Sequence, residues 1–326
     1  MISDANNRST ADPRVVALGG GHGLANTLRA AGRMTSDVTA IVVVSDDGGS
    51  SGRLRREFDL IPPGDLRMAL AALCPEDPAG QLWRDVVQHR FGGTGQLAGH
   101  VVGNLLIAAL WEETGDVVAG LAQLGALLRI SGRVLPVAIE PLEIVANVRF
   151  DDGLREVIGQ VAVATTRGEV VSVRVEPANA GACPEALAAI SAADLLVLGP
   201  GSWFTSVLTH LLVPELRRAV VNCPGHRVVV LNLHAQNGET TNFAPETHLD
   251  VLADMTPELR IETVVVDPRW SGDPAALRRS ADRLGAEILL AEVAELPGDQ
   301  VAHHDPARLA AVFEVLASRG RITAWR

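Results

Sequence analysis

The chain has 326 residues, 47% of them hydrophobic, a formal net charge of -11, and no lysine, so all 28 basic residues are arginine. Such a length buries the core of one large or two modest domains, while the acidic balance argues against general binding to nucleic acid or an anionic membrane, both of which need a basic face. Without lysine there is no P-loop lysine and no Schiff base; the arginines offer guanidinium forks for phosphate, although biased genomic composition is the preferred reading of them.

Cys74, Cys183 and Cys223 are odd in number, widely spaced and free of any C-x-x-C, which suggests neither a disulfide framework nor a zinc site and fits a reducing cytosol. Residues 1–13 are polar, lack the apolar core of a leader, and read as a disordered lead-in. No apolar run approaches the roughly 20 residues of a membrane span.

In chain order, residues 15–18 predict a buried strand, followed by the turn Gly19-Gly20-Gly21-His22-Gly23 and a helix over 24–32 with Leu24, Leu28 and Ala31 on one face. Strand, glycine turn and helix make an anion site, because glycines let the backbone approach and the first helical N–H groups point at the charge. The G-x-G-x-x-G match is incomplete, with Leu24 at the third glycine position, so a plain tight connection is the competing reading. A second strand over 38–44 ends at Asp46 and Asp47, about where a Rossmann unit places its ribose-binding acid. Adjacent strand residues face opposite ways, so both acids serve one ligand only if the chain turns at Asp47, as Gly48 and Gly49 permit; the alternative is a solvated Asp-Gly turn. Past Ser50, Ser51 and Arg53, Pro62-Pro63-Gly64-Asp65 leads into a helical run in which Asp65 is an N-cap or a ligand, and Arg67 a surface residue or a phosphate partner.

A helix over 81–91 and a glycine-rich link reach Gly99-His100 and Gly103-Asn104, which open an apolar, buried helix over 105–111. His100 is either structural or, on its near-neutral pKa, an acid–base candidate. After a helix over 117–128 and strand-like residues 134–148, stretches 157–165 and 170–175 flank Arg167-Gly168 as an expected hairpin, so 134–177 reads as a less regular insertion or subdomain. Alternation resumes with a helix over 184–193, a strand over 194–198, and Gly199-Pro200-Gly201-Ser202 before a helix over 204–212, a second candidate phosphate cradle. A strand over 227–233 brings Asn232 and a polar run to the edge where open α/β sheets bind ligands, and strands over 263–266 and 287–291 follow. His303 and His304 invite a metal reading, but without H-x-x-x-H or a companion cysteine the better one is Asp305 capping a helix that starts at Pro306. The pattern predicts an α/β fold, Rossmann-like and doubly wound, with a mainly parallel sheet, over a single domain 14–326.

The ordered motifs Gly19-Gly20-Gly21-His22-Gly23, Asp46-Asp47-Gly48-Gly49-Ser50-Ser51-Gly52-Arg53, Pro62-Pro63-Gly64-Asp65-Leu66-Arg67, Gly99-His100 with Gly103-Asn104, Gly199-Pro200-Gly201-Ser202, and Asn232-Leu233 to Gly238-Glu239-Thr240 resemble the YvcK/CofD-like family. The likeness is to its YvcK branch, the gluconeogenesis factors, and spans 15–241, more loosely beyond. It implies a Rossmann-like fold, a cytoplasmic location, and a nucleotide diphosphate sugar ligand of the UDP-N-acetylglucosamine type. It also implies a regulator linking carbon metabolism, including gluconeogenic growth, to cell-wall precursor synthesis and cell shape, with a cell-wall precursor enzyme as partner. The CofD branch implies the alternative: transfer of 2-phospho-L-lactate from a guanosine diphosphate donor to the deazaflavin Fo in coenzyme F420 biosynthesis. The Gly-Gly-Ser-Ser-Gly-Arg run and the Pro-Pro-Gly-Asp motif favour the regulator.

His22 stands where many relatives carry threonine, Trp203-Phe204 where an aliphatic-tyrosine pair is common, and the chain has no tyrosine, so a tyrosine contact to the sugar does not carry over. On the regulator reading, Gly20, Gly21, His22, Gly23, Gly199, Pro200, Gly201 and Ser202 hold the diphosphate. Asp46 or Asp47 holds the ribose, Arg53 or Arg67 neutralises phosphate charge, and Ser50, Ser51, Asp65, Asn104 and Asn232 surround the ligand. On the transferase reading, Asp46, Asp47 and Asp65 hold Mg²⁺ and His100 is the acid–base group. An NAD-dependent oxidoreductase is a third reading, weakened by the incomplete fingerprint; a homo-oligomer is left open.

Overall fold

Runs such as Val15–Gly19 and Leu195–Leu198, apolar without alternation and buried at every position, belong to strands covered on both faces. In the computed structural model, which describes residues 12–295 and 303–323, the strands are β1 (Val15–Gly19), β2 (Val38–Val42), β3 (Arg133–Pro136), β4 (Glu143–Phe150), β5 (Gly153–Ile158), β6 (Glu169–Glu176), β7 (Leu195–Leu198), β8 (His226–Val230), β9 (Thr263–Val266) and β10 (Glu287–Leu290). Apart from Asp12 and Pro13, the expected lead-in over 1–13 lies outside the described residues.

Seven strands form one sheet in the order β10-β9-β8-β7-β1-β2-β3, with every neighbouring pair parallel. From β1 the chain winds outward through β2 to β3, then returns to β7 on the other side of β1 and winds outward to β10. The direction therefore reverses between β1 and β7, and at such a switch point the loops part to leave a crevice at the carboxyl ends of the strands. Helices α1 (Gly21–Met34), α2 (Gly49–Phe58), α3 (Gly64–Ala72), α4 (Pro78–Gln88) and α5 (Val102–Thr114) follow the first strands. Among the described residues no helix is long and apolar enough to cross a membrane, and the three cysteines are buried free thiols.

Helix α2 was not anticipated, because Gly-Ser-Ser-Gly is a poor helix former. Packing overrides propensity: Ser50, Ser51, Gly52 and Leu54 are all buried, and a Cβ on Gly52 would overlap the Asp47 carbonyl.

The less regular middle is a separate three-stranded antiparallel sheet, β5-β4-β6. The expected hairpin about Arg167-Gly168 is not formed: β5 and β6 both pair with β4, and the stretch read as its first arm breaks at Gly159, where φ is +98°, into the short helix Gln160–Ala164. Residues 134–136 lie in the large sheet as part of β3. The expected helix over 204–212 starts as a π-helical turn, Trp203–Val207, and becomes α-helical at Thr209–Leu212. There the buried Glu239 carboxylate accepts the Phe204 N–H at 3.2 Å, and the Thr209 hydroxyl donates to the Phe204 carbonyl at 2.9 Å.

Candidate ligand-binding site

The first cavity grows from close contact of two glycine loops. Gly21 opens α1 at φ +58°, a conformation that suits glycine. Gly23 lies against the other loop so tightly that a Cβ would come within 2.7 Å of the Pro200 carbonyl carbon and 2.9 Å of Gly201 Cα, besides overlapping the Pro200 oxygen. The Thr27 hydroxyl, 3.2 Å from the Gly199 carbonyl, reinforces the contact. From the end of β8, the Asn232 side chain clasps Gly201 both ways, accepting its N–H at 2.9 Å and donating to its carbonyl at 2.8 Å. The loops after β1, β7 and β8 thus meet at the switch point around a cavity of about 270 Å³, lined by Gly23, Pro200, Gly201, Asn232, His234, Gln236 and His304, with the exposed His22 at its lip.

Sequence reasoning weighed His304 only as a metal ligand and Gln236 only as part of a polar run, and named neither as a ligand contact. His304 is 6% exposed, and burial pushes its pKa down to about 4 despite a bond to the Leu231 backbone, so the ring is neutral at pH 7. Its Nε2 and the Gln236 Oε1 are buried without a hydrogen-bond partner among the described residues. Two such groups lining one cavity take a partner there, an ordered water or a ligand group that displaces it. Beyond the adjacent histidine pair, the sequence signal for His304 is its place just before a helix start: the Asp305 carboxylate caps that helix, Pro306–Thr323, taking the N–H groups of Ala307 at 2.8 Å and Arg308 at 3.1 Å. Among the described residues no group of three or more histidine, cysteine or acidic side chains is placed to hold a metal ion.

Asp267 positions this wall. It follows β9, and its Oδ2 accepts the N–H groups of Val293 and Ala294, each at 3.0 Å, while Ala294 bridges to His304. Burial works to raise the Asp267 carboxyl, but bonds from the Arg269 side chain and backbone and from Ala294 outweigh it and hold the group well below the usual range. That stabilisation is present above the ordinary carboxylate pKa and is lost as pH falls towards the depressed one. Asp267→Asn is expected to cost about 2–3 kcal/mol and to speed amide exchange at Val293 and Ala294. An unchanged urea midpoint would contradict this.

The second cavity, about 250 Å³, lies on the β2 side of the same α1 N-terminus; its walls include Asp46, Ser50, Ser51, Asp65, Arg67, Arg90 and Asn104. Gly20 joins the two, since a Cβ there would stand 2.7 Å from Asp65 Oδ2. Burial, and next the charge of Asp46, raise the Asp65 carboxyl to about 7, against the Gly21 N–H and the Arg67 charge. Arg67 is itself buried, which lowers its pKa; its guanidinium donates to Asn104 Oδ1 at 3.0 Å and Gln88 Oε1 at 3.3 Å, and Asn104 donates to Ser51 Oγ at 3.3 Å. Ser50 Oγ accepts the Val101 N–H and lies 3.2 Å from His100 Nδ1. Burial, then Arg53, lower the His100 pKa, so this ring too is neutral at pH 7.

The adjacent acids part company. Asp46 turns into the cavity and accepts the Gly48 N–H at 3.0 Å, whereas Asp47 accepts the Val161 N–H at 3.0 Å and ties the inserted sheet's short helix to the main body. Arg53 donates to the carbonyls of Ala98 at 2.7 Å and Gln96 at 2.5 Å, holding the glycine-rich link. Ser202 precedes the π-helical turn beside the first cavity. Arg90, bonded to the Gly99 carbonyl at 2.7 Å, lines the second cavity and was not singled out from sequence.

A doubly wound parallel sheet with apposed glycine loops at its switch point defines a Rossmann-like α/β protein. The chain belongs to the YvcK/CofD-like family, in its gluconeogenesis-factor branch: the family model described as 2-phospho-L-lactate transferase CofD matches residues 15–295. It is 50% identical over 312 residues to a Mycobacterium tuberculosis protein provisionally named a gluconeogenesis factor, covering 94% of this chain and 90% of that one. It is 38% identical over 255 residues to the gluconeogenesis factor of Bacillus subtilis, 78% of each chain. The crystal structure of a UPF0052 family member from Bacillus halodurans superposes with a TM-score of 0.82 at 32% identity, covering 92% of this chain and 98% of that one.

Proposed function

We propose that the chain binds a nucleotide diphosphate sugar of the UDP-N-acetylglucosamine type and acts as a cytoplasmic regulator linking carbon metabolism, including gluconeogenic growth, to cell-wall precursor synthesis and cell shape. The observation that carries the binding is the apposition of the two glycine loops at the switch point, beside two buried polar atoms without partners. N–H groups of the first turn of α1 face the diphosphate. His304 Nε2, neutral and with its other ring nitrogen engaged at Leu231, accepts from a ligand hydroxyl or amide, as does Gln236 Oε1. Asp46 reaches the ribose, and Arg67 supplies positive charge near the phosphates. The names of the relatives support the metabolic role; regulation follows if occupied and empty forms differ at a surface met by a partner, a cell-wall precursor enzyme or a second copy of the chain.

A second reading, transfer of 2-phospho-L-lactate to Fo, is favoured by one observation, the facing carboxylates Asp46 and Asp65. Two carboxylates beside a phosphate site suit Mg²⁺, which takes few protein ligands and completes its shell with water and substrate oxygens. The ion would offset charge on a phosphate leaving group, and His100, hydrogen-bonded to Ser50, would be the residue placed to move a proton. Parallel calorimetric titrations with UDP-N-acetylglucosamine, GDP and NAD, each with and without Mg²⁺, separate the readings. Selective binding of the uridine ligand that is indifferent to metal is expected; preference for GDP with a strong Mg²⁺ requirement would replace the regulator with the transferase.

A further inference from the structure

A third polar cleft, of about 320 Å³, lies at the far ends of the helices that build the ligand site. Arg29 and Arg33 stand one turn apart on α1, Arg29 about 12 Å along the helix from Gly21 at ~1.5 Å per residue. Arg84 reaches in from α4, and Ala72, Leu73 and Pro75 at the end of α3 give an apolar wall. Arg84 is committed to the carbonyls of Ala71 at 3.2 Å and Cys74 at 3.1 Å. Arg33 pairs with Glu76 at 3.1 Å across an exposed bridge, a kind that contributes little and yields readily to a competing anion. Arg29 is different: half-buried, it donates to Asn26 Oδ1 at 3.0 Å and forms no ion pair among the described residues. Three guanidinium groups against one carboxylate leave the cleft two positive charges in excess, the complement of a phosphate monoester dianion. Helix C-termini alone would account for Arg84 and Arg33, but not for a cation half-buried and unpaired.

We propose that this cleft is a second ligand site, independent of the switch-point cavities, which binds a small phosphate monoester with a compact apolar body through Arg29, Arg33 and Arg84. Burial, then repulsion from Arg84, lower the Arg29 pKa, the strain an anion would relieve. An occupant would also bear on α1 and α3, whose first turns carry Gly21, Gly23 and Asp65.

The test is phenylglyoxal labelling of the wild-type chain, read arginine by arginine by mass spectrometry, with phenyl phosphate, benzoate or phenol present. Phenyl phosphate is expected to slow labelling of Arg29 several-fold, benzoate less and phenol not at all. Calorimetry with Arg29→Gln should show phenyl phosphate binding at this cleft weakened by tenfold or more, the equivalent of one charge-assisted bond. Arg29 labelling unmoved by phenyl phosphate, or wild-type affinity in Arg29→Gln, would overturn the proposal.

Discussion

Gly23→Ala is expected to weaken nucleotide-sugar binding about a hundredfold, through the loss of ~3 kcal/mol of charge-assisted hydrogen bonding, and to lower stability by about 1–3 kcal/mol. The atoms nearest the added methyl are all backbone, the carbonyl of Pro200 and the Cα of Gly201, so relief cannot come from a side chain swinging away. Either the first turn of α1, whose N–H groups open on the cavity, or the Gly199–Ser202 loop, which walls it with Pro200 and Gly201, must shift. Gly32→Ala, on the same helix, is the control. Nothing stands within 4 Å of its Cβ and its backbone is helical, so alanine should stabilise the fold by about 0.5–1 kcal/mol. Titration calorimetry and urea denaturation of the two variants check this. Wild-type affinity in Gly23→Ala would remove the loop contact from the site.

Asp65→Asn is expected to raise the stability of the empty chain above pH 7 and to flatten its pH profile. A carboxyl held near 7 by burial and by Asp46 favours the fold while protonated. Its contribution is whole below the unfolded pKa, about 4, and is lost as pH rises through about 7; the loss is at most on the order of 4 kcal/mol. Asparagine carries no charge at any pH, so the slope between pH 4 and 7 should diminish. Asp46→Asn should move the same transition downward by removing the like charge. Urea midpoints across that range decide the matter; an identical slope in wild type and Asp65→Asn would contradict the assignment. If the pair holds Mg²⁺, the ion should restore wild-type stability at pH 8 and do nothing for Asp65→Asn, which bears directly on the transferase reading.

The sheet was legible because strands buried on both faces carry no polar residue to blur them, as in Leu195–Leu198 and Val228–Val230. The glycine turn was legible for the same reason in reverse: Gly19 to Gly23 has no use in a core. Local chemistry could not reveal α2, whose glycines and serines are held helical by burial, with Gly52 packed so close to the Asp47 carbonyl that no side chain would fit. It could not reveal the parting of Asp46 and Asp47 either, since the partner of Asp47 is the Val161 N–H, 114 residues away. His304 and Gln236 enter the first cavity from separate segments near β10 and β8, and only the folded chain brings them to Gly23. The helix cap at Asp305, a contact within four residues, was read correctly beside the histidine that was not.

The most direct test of the central claim is a crystal structure of the chain with UDP-N-acetylglucosamine. The account expects the diphosphate against the N–H groups of His22 and Gly23, between them and the Pro200–Gly201 backbone, with a ligand hydroxyl or amide donating to His304 Nε2. A ligand bound away from the β1–β7 switch point, or crystals with the cavity empty at saturating ligand, would contradict it.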